Sequence, residues 1–201
     1  MRRNPCINRL IDSLTGKNSS RLGFLIPLGL ILAVAAIACS SDSLSIMGDE
    51  SSGSGDRAPN FSMTMFQGEG VVGGQEVDLH SLVGPKPIVL NFWAGLCPPC
   101  RAEMPDLQEF NEDYQGSALL LGIDLGQFTG LGNLKNAKEL LGELQVTYPA
   151  GFTSDSSVIK DYKVLGMPTT IFIDTDGNIF NKWTGALNKS VLEKETRKML
   201  D

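Results

Sequence analysis

Residues 87–105 read PIVLNFWAGLCPPCRAEMP, and the two ends of this stretch have opposite characters. Pro87 to Ala94 is an apolar run of strand length, dense in β-formers, which predicts a central strand buried on both faces. A helix is expected from Pro98 to Tyr114. Cys97-Pro98-Pro99-Cys100 therefore sits where a strand ends and a helix begins, and that position carries more information than the four letters. Two cysteines three apart in a first helical turn can form a strained, reversible disulfide. Unpaired N–H groups and the positive end of the helix dipole stabilise a thiolate there, so Cys97 is the expected nucleophile and Cys100 the resolving thiol. Pro98 and Pro99 have a fixed φ that suits helix initiation and stiffens the ring.

Two competing readings of the pair are a half zinc site and a static structural disulfide. Zinc needs four ligands, yet the only histidine is His80 and there is no second cysteine pair. Neither metal nor cofactor is expected. A ring closed over so few residues restrains little chain entropy and makes a poor staple. Of the other cysteines, Cys6 has no neighbour suggesting chemistry, and Cys39 belongs to the leader described below.

Outward from this centre, Phe61–Phe66 alternates like a strand, and glycines 68, 70, 73 and 74 suggest a hairpin to a short strand near Val77–Leu79. Ser117–Asp124 reads as a second buried strand. Leu134, Ala137, Leu140, Leu141 and Leu144 recur at helical spacing, giving a parallel crossover. Ser156–Leu165 is a further short helix. Thr169–Asp174 and Ile179–Trp183 flank a Thr175-Asp176-Gly177 turn, and a closing helix from Leu187 to Leu200 has Leu187, Val191 and Met199 on its apolar face. The order implies an α/β domain with a mixed central sheet covered by helices on both faces and an N-terminal β-hairpin extension.

The chain has 201 residues, 42% of them apolar and 20% charged, which are globular values for one domain with an appendage. Residues 1–38 carry five basic residues against one acid, and Leu22–Ala38 is seventeen residues without a charge. This is an export signal of lipoprotein type or an uncleaved signal anchor. Ala36 and Ala38 before Cys39 are similar to a bacterial lipobox, which makes Cys39 the expected lipidation site and membrane lipid a partner. Residues 39–56, rich in Ser, Gly and acids, form a flexible tether, and residues 57–201 the domain. From residue 39 onward the net charge is −10, which repels a phosphate backbone and excludes nucleic acid as a partner.

Asn91-Phe92-Trp93-Ala94 ahead of Cys97-Pro98-Pro99-Cys100-Arg101-Ala102-Glu103-Met104-Pro105 resembles the TlpA and ResA group of extracytoplasmic thioredoxin-like proteins. Ala58-Pro59-Asn60-Phe61 and Gly166-Met167-Pro168-Thr169-Thr170 extend the resemblance over about residues 57–201. It implies a thioredoxin-like fold in which Pro168 is cis and faces the disulfide, with Met167 backbone groups pairing to an incoming peptide. It also implies that Glu103, one helical turn after Cys100, exchanges protons with that thiol. Asn91 stands where ordinary thioredoxins carry a buried aspartate, in keeping with Glu103 having taken over its role. Trp93 is expected beside the site, chiefly as packing, with a part in forming the substrate surface. Pro105 should kink the helix. The chain departs from the family at Gly95-Leu96, where a Thr-Trp pair is common, so a flat aromatic docking surface is expected to be missing.

The resemblance implies a membrane-tethered, monomeric thiol–disulfide oxidoreductase working as a reductant outside the cytoplasm. Its substrate would be a protein disulfide, including that of apocytochrome c during cytochrome c maturation, and its electron donor a membrane thiol carrier. Two other readings stay open on the sequence. One is a peroxiredoxin-like thiol peroxidase, because those proteins also open with Ala-Pro-x-Phe. The other is a non-catalytic lipoprotein binding module with an inert disulfide.

Overall fold

The computed structural model describes residues 55–201. The export segment, Cys39 and nearly all of the tether lie outside the described residues. Seven strands form one sheet: β1 (Ser62–Gln67), β2 (Glu76–Asp78), β3 (Ile88–Trp93), β4 (Leu119–Asp124), β5 (Ala150–Phe152), β6 (Thr169–Ile173) and β7 (Ile179–Thr184). Their spatial order is β2-β1-β5-β4-β3-β6-β7. β3 is parallel to β4 and antiparallel to β6, and β4 is parallel to β5, so the expected mixed sheet is present. β3 lies inside the sheet and all six of its residues are buried, five apolar side chains and the polar Asn91.

Six helices accompany the sheet: α1 (Glu69–Val72), α2 (Pro98–Tyr114), α3 (Gly126–Thr129), α4 (Leu134–Glu143), α5 (Ser157–Asp161) and α6 (Lys189–Leu200). α2 has the predicted bounds. Cys100, Glu103, Met104, Leu107 and Phe110 are buried at three- and four-residue spacing along one side of it. Pro105 lies inside the helix, so the Arg101 carbonyl lacks the N–H that residue 105 would ordinarily supply. Each sheet face carries its own apolar cluster. One joins Val89 and Trp93 to Cys97, Cys100, Met104, Leu107, Tyr148 and Leu192; the other joins Phe61, Leu90, Phe92, Ile123, Tyr162 and Ile171.

The expected hairpin is present, with β1 and β2 paired antiparallel, and its connection holds the single helical turn α1 bracketed by the left-handed Gly68 and Gly73. Three local expectations are corrected. Leu79 begins a 3-10 turn instead of ending β2. The short helix stops at Asp161, before Lys163 adopts a positive φ. Leu187 precedes α6, whose fully buried side is formed by Leu192 and Thr196, with Val191 and Met199 only partly covered. β5 and α3 were too short to announce themselves. β5 contains Gly151 because the β1 backbone passes close by, and a Cβ there would lie 2.4 Å from the Thr64 carbonyl oxygen.

Gly95, in the turn between β3 and α2, is fixed by a similar contact. A Cβ on it would lie 2.6 Å from the Ala137 amide nitrogen and 2.6 Å from the Asn136 carbonyl carbon, both in the backbone of α4. This close approach leaves no room for the β-carbon of the threonine common in the family. Gly95→Ala should cost about 1–3 kcal/mol by overpacking and lower the melting temperature by several degrees. An unchanged thermal midpoint would show that α4 does not press on this turn.

Candidate active site

The turn Ala94–Leu96 delivers Cys97 to the start of α2, where it is the N-cap residue. The Cys97 amide donates to the Ala94 carbonyl at 3.2 Å, and the Leu96 amide to the Leu131 carbonyl at 2.7 Å. Cys97 and Cys100 are joined in a disulfide, with their Cα atoms 5.2 Å apart. An N-cap side chain accepts from the second or third helical amide. Pro99 has no N–H to give, and the Cys100 amide alone reaches Cys97 Sγ, at 3.3 Å. The proline pair therefore narrows the expected convergence of amides on the sulfur to one donor plus the helix dipole. Both cysteines are buried, while Pro98 and Pro99 are exposed and form the outer surface of the ring.

Glu103 is 1% exposed. Its Oε2 accepts from the Leu187 amide at 2.9 Å, and its Oε1 from Asn91 Nδ2 at 2.8 Å. Asn91 Nδ2 also donates to Thr170 Oγ1 at 3.1 Å, so one side-chain amide joins β3, α2 and β6. Burial pushes the Glu103 carboxyl up to about 7, against the lowering effect of the Leu187 and Asn91 hydrogen bonds. A group that titrates near neutrality, one turn from Cys100 on the same helix face, can take up or release a proton as that thiol reacts.

The Met167–Pro168 peptide is cis. Pro168 is buried and Met167 is half-buried against both apolar clusters. Trp93 is fully buried in the same cluster as both cysteines, so it packs beneath the site and does not form the surface that meets a substrate. At the departure from the family pattern, Leu96 is 59% exposed, and Leu165, three residues before Pro168, is 88% exposed. Apolar surface thus persists beside Cys97 without an aromatic ring.

Asp124 escaped the sequence reading. It ends β4 in register with Trp93, is fully buried, and accepts from the Gly126 amide at 3.2 Å. Burial raises its carboxyl to about 6, opposed by the backbone amides of Gly126 and Gly95. The available signal was an acid closing an otherwise apolar strand. Tyr148 also went unremarked, as a single aromatic in a loop. Among the described residues no group of His, Cys, Asp and Glu could hold a metal ion.

This geometry and sheet order define a thioredoxin-like dithiol protein. The chain belongs to the AhpC/TSA family, whose model matches residues 54–182, and it is a thiol–disulfide oxidoreductase of that family. It is 34% identical over 139 residues to the thiol-disulfide oxidoreductase ResA of Oceanobacillus iheyensis, covering 69% of each chain. It is 28% identical over 142 residues to the thioredoxin-like protein YneN of Bacillus subtilis, covering 70% of this chain and 77% of that one. Among solved structures, a putative thiol:disulfide interchange protein DsbE from Chlorobium tepidum matches with a TM-score of 0.61 and 26% identity, over 74% of this chain and 98% of that one.

Glu103 has a folded pKa above its ordinary 4.5, so folding favours its neutral form. That stabilisation is complete below about pH 4.5 and is lost as pH rises through about 7. Its full extent is on the order of 3 kcal/mol. The denaturant midpoint of the oxidised protein should therefore fall between pH 5 and 8, and Glu103→Gln should flatten the upper part of that fall. Asp124 would account for what remains below about pH 6. Parallel curves for the two proteins would show that Glu103 is not held neutral by the fold.

Proposed function

We propose that the protein is a membrane-held reductant of protein disulfides outside the cytoplasm, with Cys97 as nucleophile, Cys100 as resolving thiol and Glu103 as the proton acceptor for Cys100. The observation that carries this reading is the buried Glu103 carboxyl, poised near neutrality on the same face of α2 as Cys100. In the reduced protein the Cys97 thiolate attacks one sulfur of a substrate disulfide. A mixed disulfide forms and the other substrate sulfur leaves as thiolate. Glu103 takes the proton from Cys100, and the resulting thiolate attacks Cys97 Sγ. The second substrate sulfur then leaves, and the protein is left with its Cys97–Cys100 disulfide. The substrate gains two electrons, which a membrane thiol carrier restores to the protein.

Substrate chain would lie along Met167-Pro168, pairing with Met167 backbone groups. The resemblance to ResA supports apocytochrome c, whose two haem-attaching cysteines must be reduced, as the substrate. A peroxidase reading fits the site less well, because the resolving thiol lies within one helical turn of the nucleophile and both are buried. The domain 57–201 would be held to the membrane through residues 39–56, with lipid on Cys39 or an uncleaved apolar helix as the anchor. Among the described residues no helix is long and apolar enough to cross a membrane.

Insulin reduction by the full chain should drop to background in Cys97→Ser, while Cys100→Ser should accumulate mixed disulfides in cells. Peroxide consumption without disulfide turnover would overturn the reading. In the producing bacterium, Cys39→Ser should abolish labelling by a fatty-acid probe. If the parent chain takes up no label, the anchor is the helix and not a lipid.

A further inference from the structure

Leu165 is the most exposed large hydrophobic residue among those described, at 88%. A leucine in water is by itself ordinary. This one lies between neighbours that are tied down: Val164 packs on one apolar cluster and Met167 on both. The turn that carries it is fixed along its length. Lys163 holds a positive φ, and the Val164 amide donates to the Ile159 carbonyl at 2.8 Å. Lys182 Nζ, reaching across from β7, donates to the Tyr162 carbonyl at 2.9 Å and also to that of Lys163. Tyr162 Oη donates to the Pro59 carbonyl at 2.6 Å. Beyond the turn, Thr169 Oγ1 donates to the Gly166 carbonyl at 2.7 Å, and the Gly185 amide to that of Pro168 at 2.9 Å. Leu165 is therefore held out from the surface by a braced backbone.

Within this braced segment the backbone N–H and C=O groups of Leu165 and Met167 have no partner among the described residues. Alternate residues with free donors and acceptors are what an added antiparallel strand pairs with. Met167 packs against the cluster that contains Cys97 and Cys100, and two residues of chain put Leu165 within about 7 Å of it. Leu96, the other leucine exposed beside the ring, offers less. Its amide is committed to the Leu131 carbonyl at 2.7 Å, and its side chain lies against Gly132, where a Cβ would be 3.3 Å from Leu96 Cγ.

We propose that Leu165 is a specificity-determining residue of the dithiol site, selecting substrates with an apolar side chain two residues from the cysteine that Cys97 attacks. A substrate strand whose cysteine lies opposite Met167 brings the residue two positions along opposite Leu165. Leu165 then covers that side chain and loses its own exposure to water, so the pairing adds apolar burial to the backbone hydrogen bonds. A polar side chain at the same position gains nothing from the contact and gives up part of its hydration. The discrimination arises on binding, before any bond between sulfurs changes, so it belongs in KM and not in kcat.

The inference rests on the reading that the protein reduces a substrate disulfide lying along Met167-Pro168. It is tested by reduction, with the full chain in its dithiol form, of synthetic peptides that carry one intramolecular disulfide. The peptides are alike except that leucine or serine stands two residues outside each cysteine. The leucine peptide should have a kcat/KM about fourfold or more above the serine peptide, roughly what one buried methylene group contributes, with the difference in KM. Leu165→Ser should bring that ratio close to one, and a residue this exposed contributes little packing, so the variant should fold. Leu165→Lys should turn the preference toward a peptide with glutamate at those places. Equal turnover of the leucine and serine peptides by the parent chain overturns the inference and leaves the reductant reading standing. A preference that persists in Leu165→Ser also overturns it, and gives the role to another part of the rim. Reduction of neither peptide overturns both.

Discussion

The arrangement of the site depends on one carboxyl kept out of water. Glu103 is buried and held by a single amide hydrogen on each oxygen, one from Asn91 on β3 and one from the Leu187 backbone just before α6. Those two bonds come from elements 12 and 84 residues away in sequence, so the carboxyl fixes α2 against both the sheet and the closing helix. Two hydrogen bonds are too few to hold an isolated buried carboxylate in its ordinary range, and burial prevails. The acid is left near neutrality, where it can both take and return a proton.

The thiol above it is under opposing influences. The helix amino terminus favours a Cys97 thiolate, but the proline pair leaves only the Cys100 amide to meet the sulfur. Asp124, near enough to the Gly95 backbone for its carboxyl to be lowered by it, adds a second buried acid behind the same loop. An ionised Asp124 would work against a thiolate on Cys97. Its position among backbone amides, and its elevation to about 6, soften that opposition at mildly acid pH. Charge at Cys97 therefore depends on the start of α2 and on a carboxyl at the end of β4, a combination that no four-residue motif contains.

What the sequence disclosed, and what it did not, divides along similar lines. β3 was legible to within one residue at each end and α2 with its bounds, because an apolar run meets a helical spacing there and Cys97 and the two prolines mark the junction. Glu103 was legible only through resemblance. An exposed helix glutamate has the same sequence neighbourhood, and the difference lies in Leu187 arriving from the far end of the chain. β5 was hidden because its three residues include a glycine, and the reason for that glycine is the backbone of β1. Asp124 could not be singled out for the same reason. Its importance comes from which polar atoms surround it, and that is set by strand register between segments far apart in sequence.

Asn91 connects the two tasks such a site must perform. Its side-chain amide has two hydrogens, one committed to Glu103 Oε1 and the other to Thr170 Oγ1. Thr170 lies two residues after Pro168 on β6 and is paired in register with Asn91 itself. The strand that follows Met167-Pro168 and the carboxyl that holds the proton are therefore linked through one short, buried, planar group with no slack in it. An aspartate in this place would accept from Thr170 and repel Glu103. An apolar residue would leave Glu103 Oε1 unpaired and raise the carboxyl further. Asparagine is the choice that donates in both directions, and this double donation ties the buried glutamate to β6 beside the centre of the sheet.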